Sequence, residues 1–417
     1  MEQYLKLFKN QAEYDAASEK PPVSHIVEEV DVIMPVSYDN QYLTFELLED
    51  STFKVYESAS YSSVPKYSTD GGSTWTTLPY ETDSPTIAAG TKVMWKGNLT
   101  VGSWGVGQFQ STSKVNVYGN VLSLIYGDDF RGKTTVPNLN KVFWSLFHYT
   151  KIVSAENLIL PILVLGEYSY SGMFGGCKTL ETPPKVLPAT TIDRFSYQQM
   201  FSNCTSLKTI PEMKVTEFLV GQNCNAMFEA CTSLKKVPEL PAFTAPQCYI
   251  YMFKGCTGLE EVAQLKATTL STSCYYSMFA GCTSLVSFPE LPATELVSSC
   301  YNTMFSGCTS LVNAPKIAAT SITGYWDCAY MFQRCTSLEE APELLSKDIP
   351  AGSYAQMFDG CTSLRYVKCH AETFGNNNSI VGWLKNVSPT GTFIKKANVN
   401  YPSGMSGIPE GWTVENM

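Results

Sequence analysis

The chain reads as a mainly β protein whose larger part is a solenoid of about nine coils, and three observations predict this. Met-Phe, two variable residues, Cys, two more and then Leu recur eight times, beginning at Met173, Met200, Met227, Met252, Met278, Met304, Met331 and Met357. The copies are 25, 26 or 27 residues apart, within the range of one solenoid coil. Between them lie short alternating stretches cut by proline, such as Leu285, Phe288, Leu291 and Leu296 around Pro289 and Pro292. Prolines at that density limit any strand to a short piece.

In chain order, residues 1–38 form a separate N-terminal segment. Tyr4, Leu5, Phe8, Ala12 and Tyr14, interleaved with Lys and Glu, predict a short helix ended by Pro21-Pro22. Residues 39–120 read as an all-β, sandwich-like module. Leu43, Phe45 and Leu47 alternate, and Asp70-Gly71 marks a hairpin turn. Residues 121–370 hold the solenoid with its N-terminal cap. One degenerate copy starts at Leu146-Phe147, with Thr150 in the Cys place. A short helical or 3₁₀ turn is expected around each Tyr-x-x-Met-Phe. Residues 371–417 are a C-terminal cap, with a short helix expected from Ser379 to Val387 and strands at Thr392–Ile394 and Trp412–Val414.

A single coil has one apolar edge and cannot bury it alone, so the copies must stack and share a core. At strand spacing, nine coils give a rod on the order of 40 Å long. Tyr170, Tyr197, Tyr249, Tyr275, Tyr301 and Tyr354 each precede their Met by three residues. They form either the edge of the core, with hydroxyls in water, or an aromatic stripe for a sugar or protein. Eight of the fourteen cysteines hold one repeat position, and Cys248, Cys274 and Cys300 hold a second where other copies carry Ser169, Ser196 and Ser353. A position that accepts serine does not need a disulfide, and the spacing contains no paired Cys-x-x-Cys metal motif. The cysteines are therefore expected to be buried free thiols.

The unit Met-Phe-x-Gly-Cys-Thr-Ser-Leu, with the later Pro-Glu-Leu-Pro-Ala-Thr, resembles the BspA-like leucine-rich repeat proteins of gut Bacteroidales and their bacteriophages. The likeness covers residues 140–370. The segments Met94–Leu99, Tyr126–Phe130, Pro389–Phe393 and Gly407–Val414 look like flanks of such proteins. Ala12-Glu13-Tyr14-Asp15-Ala16 followed by Pro21-Pro22-Val23-Ser24-His25-Ile26 resembles an N-terminal segment of structural and fibre proteins of Bacteroides phages. The resemblance implies a leucine-rich-repeat-type solenoid and a role in adhesion or surface recognition. It implies no catalysis by the repeats.

Charged residues are only 16% of the chain and the net charge is −9, which argues against a nucleic-acid surface. No eighteen-residue apolar run predicts membrane insertion. Met1–Asn10 carries no apolar leader core, so either this is the mature chain with its leader removed or the protein leaves its cell by another route, of which release of a phage particle by lysis is one. His25, His148 and His370 are isolated, and no nucleotide loop or nucleophile elbow is present. Glu239, Glu290 and Glu343 share a repeat position, read as a solvated face rather than as depolymerase carboxylates. Cys369-His370 would point to opposite faces of a strand. The expectation is thus a noncatalytic, cofactor-free and metal-free virion protein, a fibre or decoration, with a bacterial cell-surface adhesin and a purely architectural capsid or tail component as alternatives. Residues 1–38 would contact other virion proteins and a homo-oligomer, a trimer, would form. Tyr249, Tyr251, Tyr275, Tyr276, Tyr301, Tyr325, Trp326 and Tyr330 would contact a host glycan or protein.

Overall fold

A computed structural model describes residues 38–417 except 57–62, 103–104, 243 and 377. The helix and attachment contacts expected in residues 1–37 lie outside the described residues. From Tyr38 onward the protein is mainly β with few helices.

Among the described residues the N-terminal module has seven strands. They are β1 (Leu43–Leu47), β2 (Phe53–Tyr56), β3 (Lys66–Ser68), β4 (Thr76–Thr77), β5 (Lys92–Lys96), β6 (Gln108–Ser111) and β7 (Val115–Asn120). The order β4-β3-β5-β1-β7 forms an antiparallel sheet, and β2 pairs with β6 as a ribbon. Alternation decides the packing. Phe45 and Trp95 on the sheet meet Phe53 of the ribbon at ring separations of 5.2 and 5.6 Å, and Trp95 meets Phe109 at 5.0 Å. The expected hairpin is present between β3 and β4. Asp70 organises it by accepting hydrogen bonds from the Thr74 amide (2.9 Å), the Thr74 hydroxyl (2.6 Å) and the Ser68 hydroxyl (2.7 Å). These donors hold its carboxyl well below the usual carboxylate range.

Module and repeats share one core. β7 pairs in parallel with β8 (Ile152–Ser154) and β9 (Leu158–Ile159), the strands of the degenerate copy. Phe109 donates its amide to the Leu146 carbonyl at 2.7 Å, the same bond that Phe279 makes to Met304 at 3.0 Å. The ribbon thus supplies the layer on which the first copy rests. The residue-120 boundary is a change of sequence pattern, with no gap in packing across it.

Neighbouring copies are joined by two-residue parallel strands. Val164–Leu165 pairs with Thr191–Ile192, which pairs with Glu217–Phe218, and Glu295–Leu296 pairs with Ser321–Ile322. The aromatic core follows the same step. Phe174, Phe201, Phe228, Phe253, Phe279, Phe305, Phe332 and Phe358 stack in sequence, with centroids 5.2 to 6.0 Å apart. All eight are fully buried.

The segment around Tyr-x-x-Met-Phe is neither helical nor 3₁₀, contrary to expectation. It is a run of linked turns in which backbone N–H groups alternate between two acceptors. Met278 donates to the Tyr275 carbonyl three residues back, whereas Phe279 donates to Met304 of the next copy. Every fourth residue adopts positive φ, as at Ser273 (53°), Ser277 (52°) and Gly281 (75°). A left-handed residue at that interval breaks any helix, and the alternation still satisfies each amide. Residues 379–386 are also turns, so the helix expected from Ser379 to Val387 is absent. Phe358 donates to the Trp383 carbonyl at 2.9 Å, so Trp383 stands where earlier copies place Met. The cap then adds Gly391–Lys395 and Trp412–Asn416 in parallel to Tyr366–Cys369, as the strand expectation required.

The cysteines have a structural reason. Eight thiols donate to the carbonyl oxygen of the Phe in the preceding copy at 2.9 to 3.2 Å, from Cys177 on Phe147 to Cys361 on Phe332. Thr150 does the same to Phe109 at 2.5 Å. The position therefore needs a small group with one donor, and Cys supplies it with little polar surface to bury. All fourteen cysteines are free and buried.

Candidate functional site

The structure divides the eight expected contact residues into two sets. Tyr249, Tyr275 and Tyr301 are core residues and cannot meet a ligand. Tyr249 stacks on Tyr275 at 5.9 Å and Tyr275 on Tyr301 at 6.2 Å. Their hydroxyls are not in water either: those of Tyr249 and Tyr301 are buried without a protein partner among the described residues. Burial pushes their ionisation well above the ordinary tyrosine value. The stripe therefore packs in the core, as one of its two readings expected, but without hydroxyls in water, and the ligand-surface reading is corrected. The position three before Met points inward because it belongs to the turn residues that face the Phe ladder.

The remaining five residues lie on the turn surface. Tyr325 is 62% and Trp326 42% exposed, and Tyr330 is half-buried. Trp326 occupies a left-handed position (φ 62°). Its ring rests on Gly352, the equivalent residue of the next copy: a Cβ at Gly352 would come within 2.8 Å of ring atoms Cδ2 and Cε2. Glycine there lets the indole lie against backbone on one side. The Gln356 amide donates to the Tyr330 hydroxyl at 3.3 Å, and the Asn302 amide donates to the Trp326 carbonyl at 3.1 Å. Two copies back, Tyr276 meets Tyr251 edge-on at 5.6 Å, with the Lys254 ammonium 4.7 Å from the Tyr251 ring centre. Such rings offer an apolar face and a polar rim to an amphipathic ligand.

The same surface carries aromatics absent from the expected set. Tyr168 stacks on Phe195 at 4.7 Å, and Trp144 lies 6.3 Å from Tyr168. Tyr168, Phe195 and Trp326 occupy one repeat position, five residues before Met. Aligning the copies on Met-Phe would have shown it, although that position also holds Gln222, Gln247, Ser273 and Ser299.

Beneath Tyr325 and Trp326 lies Asp327, fully buried. It occupies the place of Ser169, Ser196, Cys248, Cys274, Cys300 and Ser353 in other copies. The backbones of Ser299 and Gly324 and the Ser353 hydroxyl face its carboxyl, but none reaches full hydrogen-bonding geometry. Burial pushes its pKa up to about 6.

The carboxylate column is ion-paired rather than free. Glu239 meets Lys266 at 2.6 Å, Glu290 meets Lys316 at 3.0 Å, and Glu343 meets both Lys368 and His370 at 2.7 Å. Each pair links one copy to the next, and Lys368, then His370, hold the Glu343 carboxyl below its usual range. Exposed pairs of this kind contribute about 0–1 kcal/mol each, so the column ties the copies together weakly. Cys369 is buried while His370 reaches the surface, as strand alternation requires. His148 stacks on Tyr149 at 4.0 Å, and burial lowers its pKa. Among the described residues no three His, Cys, Asp or Glu side chains converge as metal ligands, and no helix is long and apolar enough to cross a membrane. No protein-family model, curated protein or solved structure matches this chain.

Proposed function

We propose that this protein is a noncatalytic structural and adhesion component of a virion, a fibre or decoration built as a BspA-like, leucine-rich-repeat-type solenoid of about nine coils. The aromatic turn surface would hold a host-surface glycan or protein. The observation that carries this reading is the contrast between two classes of aromatic side chain. Phe and Tyr at the core positions are buried in nearly every copy, whereas Tyr325 and Trp326 are exposed on the turn surface and Tyr330, Tyr251 and Tyr276 are half-buried there. Exposed rings beside one another mark a contact surface.

The inter-copy pairing of backbone, phenylalanines and ions supports the solenoid. A stack of copies gives a stiff scaffold whose turn residues can vary without cost to the core. Residues 1–38 are proposed to join other virion proteins and a trimer to be the assembled form, so that weak single contacts add up over many copies. Gold-labelled antibody against this chain, applied to phage particles and host cells from one lysate, tests the assignment. Label on particles is the expected result, and label confined to intact uninfected cells would make the chain a bacterial surface adhesin.

A further inference from the structure

Two sequence segments that the repeat array leaves unexplained, Met94–Leu99 and Tyr126–Phe130, meet in the N-terminal module. Gly97 donates its amide to the Ser123 carbonyl and Leu99 donates to Leu124, both at 3.0 Å. The Ser123 hydroxyl donates to the Trp95 carbonyl at 2.9 Å. Gly127 (φ 55°) is needed for the approach, because a Cβ there would lie 3.0 Å from Asn98 Oδ1 and 3.2 Å from the Gly97 carbonyl. Between the segments opens a cleft of about 500 Å³, walled by Lys66, Lys96, Asn98, Tyr126, Asp128 and Asp129.

One wall is held rigid. Asp128 accepts hydrogen bonds from Lys96 Nζ at 2.8 and 3.0 Å and from the Tyr42 hydroxyl at 2.5 Å. Lys96 is held from its other side by the Trp75 ring, 4.2 Å from Nζ to centroid. The Ser63 hydroxyl donates to the Asn98 carbonyl at 2.7 Å and steadies the opposite lip. Asn98 and Asp129 stand exposed at the mouth.

We infer that this cleft binds one or two neutral sugar rings of a surface polysaccharide. Its volume is that of a small-ligand site. Among the lining side chains two cations, Lys66 and Lys96, face two carboxylates, Asp128 and Asp129, so the lining itself carries no net charge, with Arg131 and Lys133 standing just outside it. A polyol donates and accepts at each hydroxyl and can therefore use the carboxylate, the amide and the ammonium at once. The half-buried Tyr126 ring offers an apolar wall for C–H groups. The module is then a second recognition element of the chain, independent of the aromatic turn surface.

The test uses the full chain and saturation-transfer NMR with glucose, galactose, mannose, N-acetylglucosamine and lactose. At least one of these should bind with a Kd on the order of 1 mM. The variants Asn98→Ala and Asp129→Ala should each weaken it about tenfold, with melting temperature unchanged because both side chains are exposed. Tyr325→Ala/Trp326→Ala should leave it intact. No transfer from any of the five sugars, or transfer that survives both cleft substitutions, would overturn the inference. Transfer lost only in Tyr325→Ala/Trp326→Ala would overturn it too, and would leave the turn surface as the sugar site.

Discussion

Raising the pH from 7 to 9.5 should unfold this protein, because its fourteen thiols are buried and protonated in the native state. Burial raises every one of them above the ordinary cysteine value, Cys256, Cys274, Cys308 and Cys361 to about 12. A thiol in the unfolded chain loses its proton near pH 8.5. Above that pH the native state binds more protons than the unfolded state, so stability falls as pH rises. At pH 9.5 one such group costs about 1.4 kcal/mol. Over the thirteen cysteines whose thiols burial pushes furthest up the loss is roughly 18 kcal/mol, comparable with the whole stability of a chain this size at about 0.05 kcal/mol per residue. Urea melts under reductant at pH 7, 8, 8.5, 9 and 9.5 and fixed ionic strength measure it. The midpoint should hold to about pH 8 and then fall steeply. A midpoint flat to pH 9.5 would refute the buried-thiol account, as would rapid reaction of native thiols with a disulfide reagent at pH 7.

Three further outcomes follow from single positions. Asp327 ionises near pH 6 when folded and near 3.9 when unfolded, so stability falls as pH rises from about 4 to 6 and the full cost of about 3 kcal/mol is present at pH 7. Asp327→Ser, the residue of the next copy, should recover about that amount at pH 7 and almost none at pH 4, as read by urea melts. Gly281→Ala should cost about 1–2 kcal/mol, since φ is 75° there while a Cβ would make only ordinary contact with the Gly255 backbone at 3.7 Å, and the urea midpoint reports it. Phe279→Ala removes a ring stacked between Phe253 and Phe305 and should cost about 3–5 kcal/mol. Because copies are coupled through nearest neighbours, the break should appear as a two-step melt and as new protease cleavage near residue 279.

The core was legible in the sequence because the physics of stacking repeats itself. Met, Phe, Cys and Leu recur where side chains meet their own kind in the next copy, so spacing alone identified them. Direction was less legible. The position of Tyr249, Tyr275 and Tyr301 was plain, but which way it faces depends on the turn run, and neither a helical nor a strand period describes that run. Its signature was only partly written. Gly176, Gly255, Gly281, Gly307 and Gly360 mark one left-handed position, yet Tyr149, Asn203, Ala230, Arg334 and Asn386 fill the same place with positive φ. Neighbouring copies hold these residues in a conformation their own preferences disfavour. The cleft of the N-terminal module was not legible at all, since Asn98 and Asp129 are brought together only by the approach of Gly97 and Gly127.

On the proposed function, Tyr325 and Trp326 on the turn surface, and not the buried ladder, attach this protein to a cell surface. Binding of the labelled full chain to a panel of gut Bacteroidales cells tests it most directly, comparing the native protein with Tyr325→Ala/Trp326→Ala and with the buried substitution Tyr275→Phe. Saturable binding that Tyr275→Phe retains and the surface double variant loses by tenfold or more is the predicted result. Binding equally strong in all three, or absent from every strain tested, would contradict it.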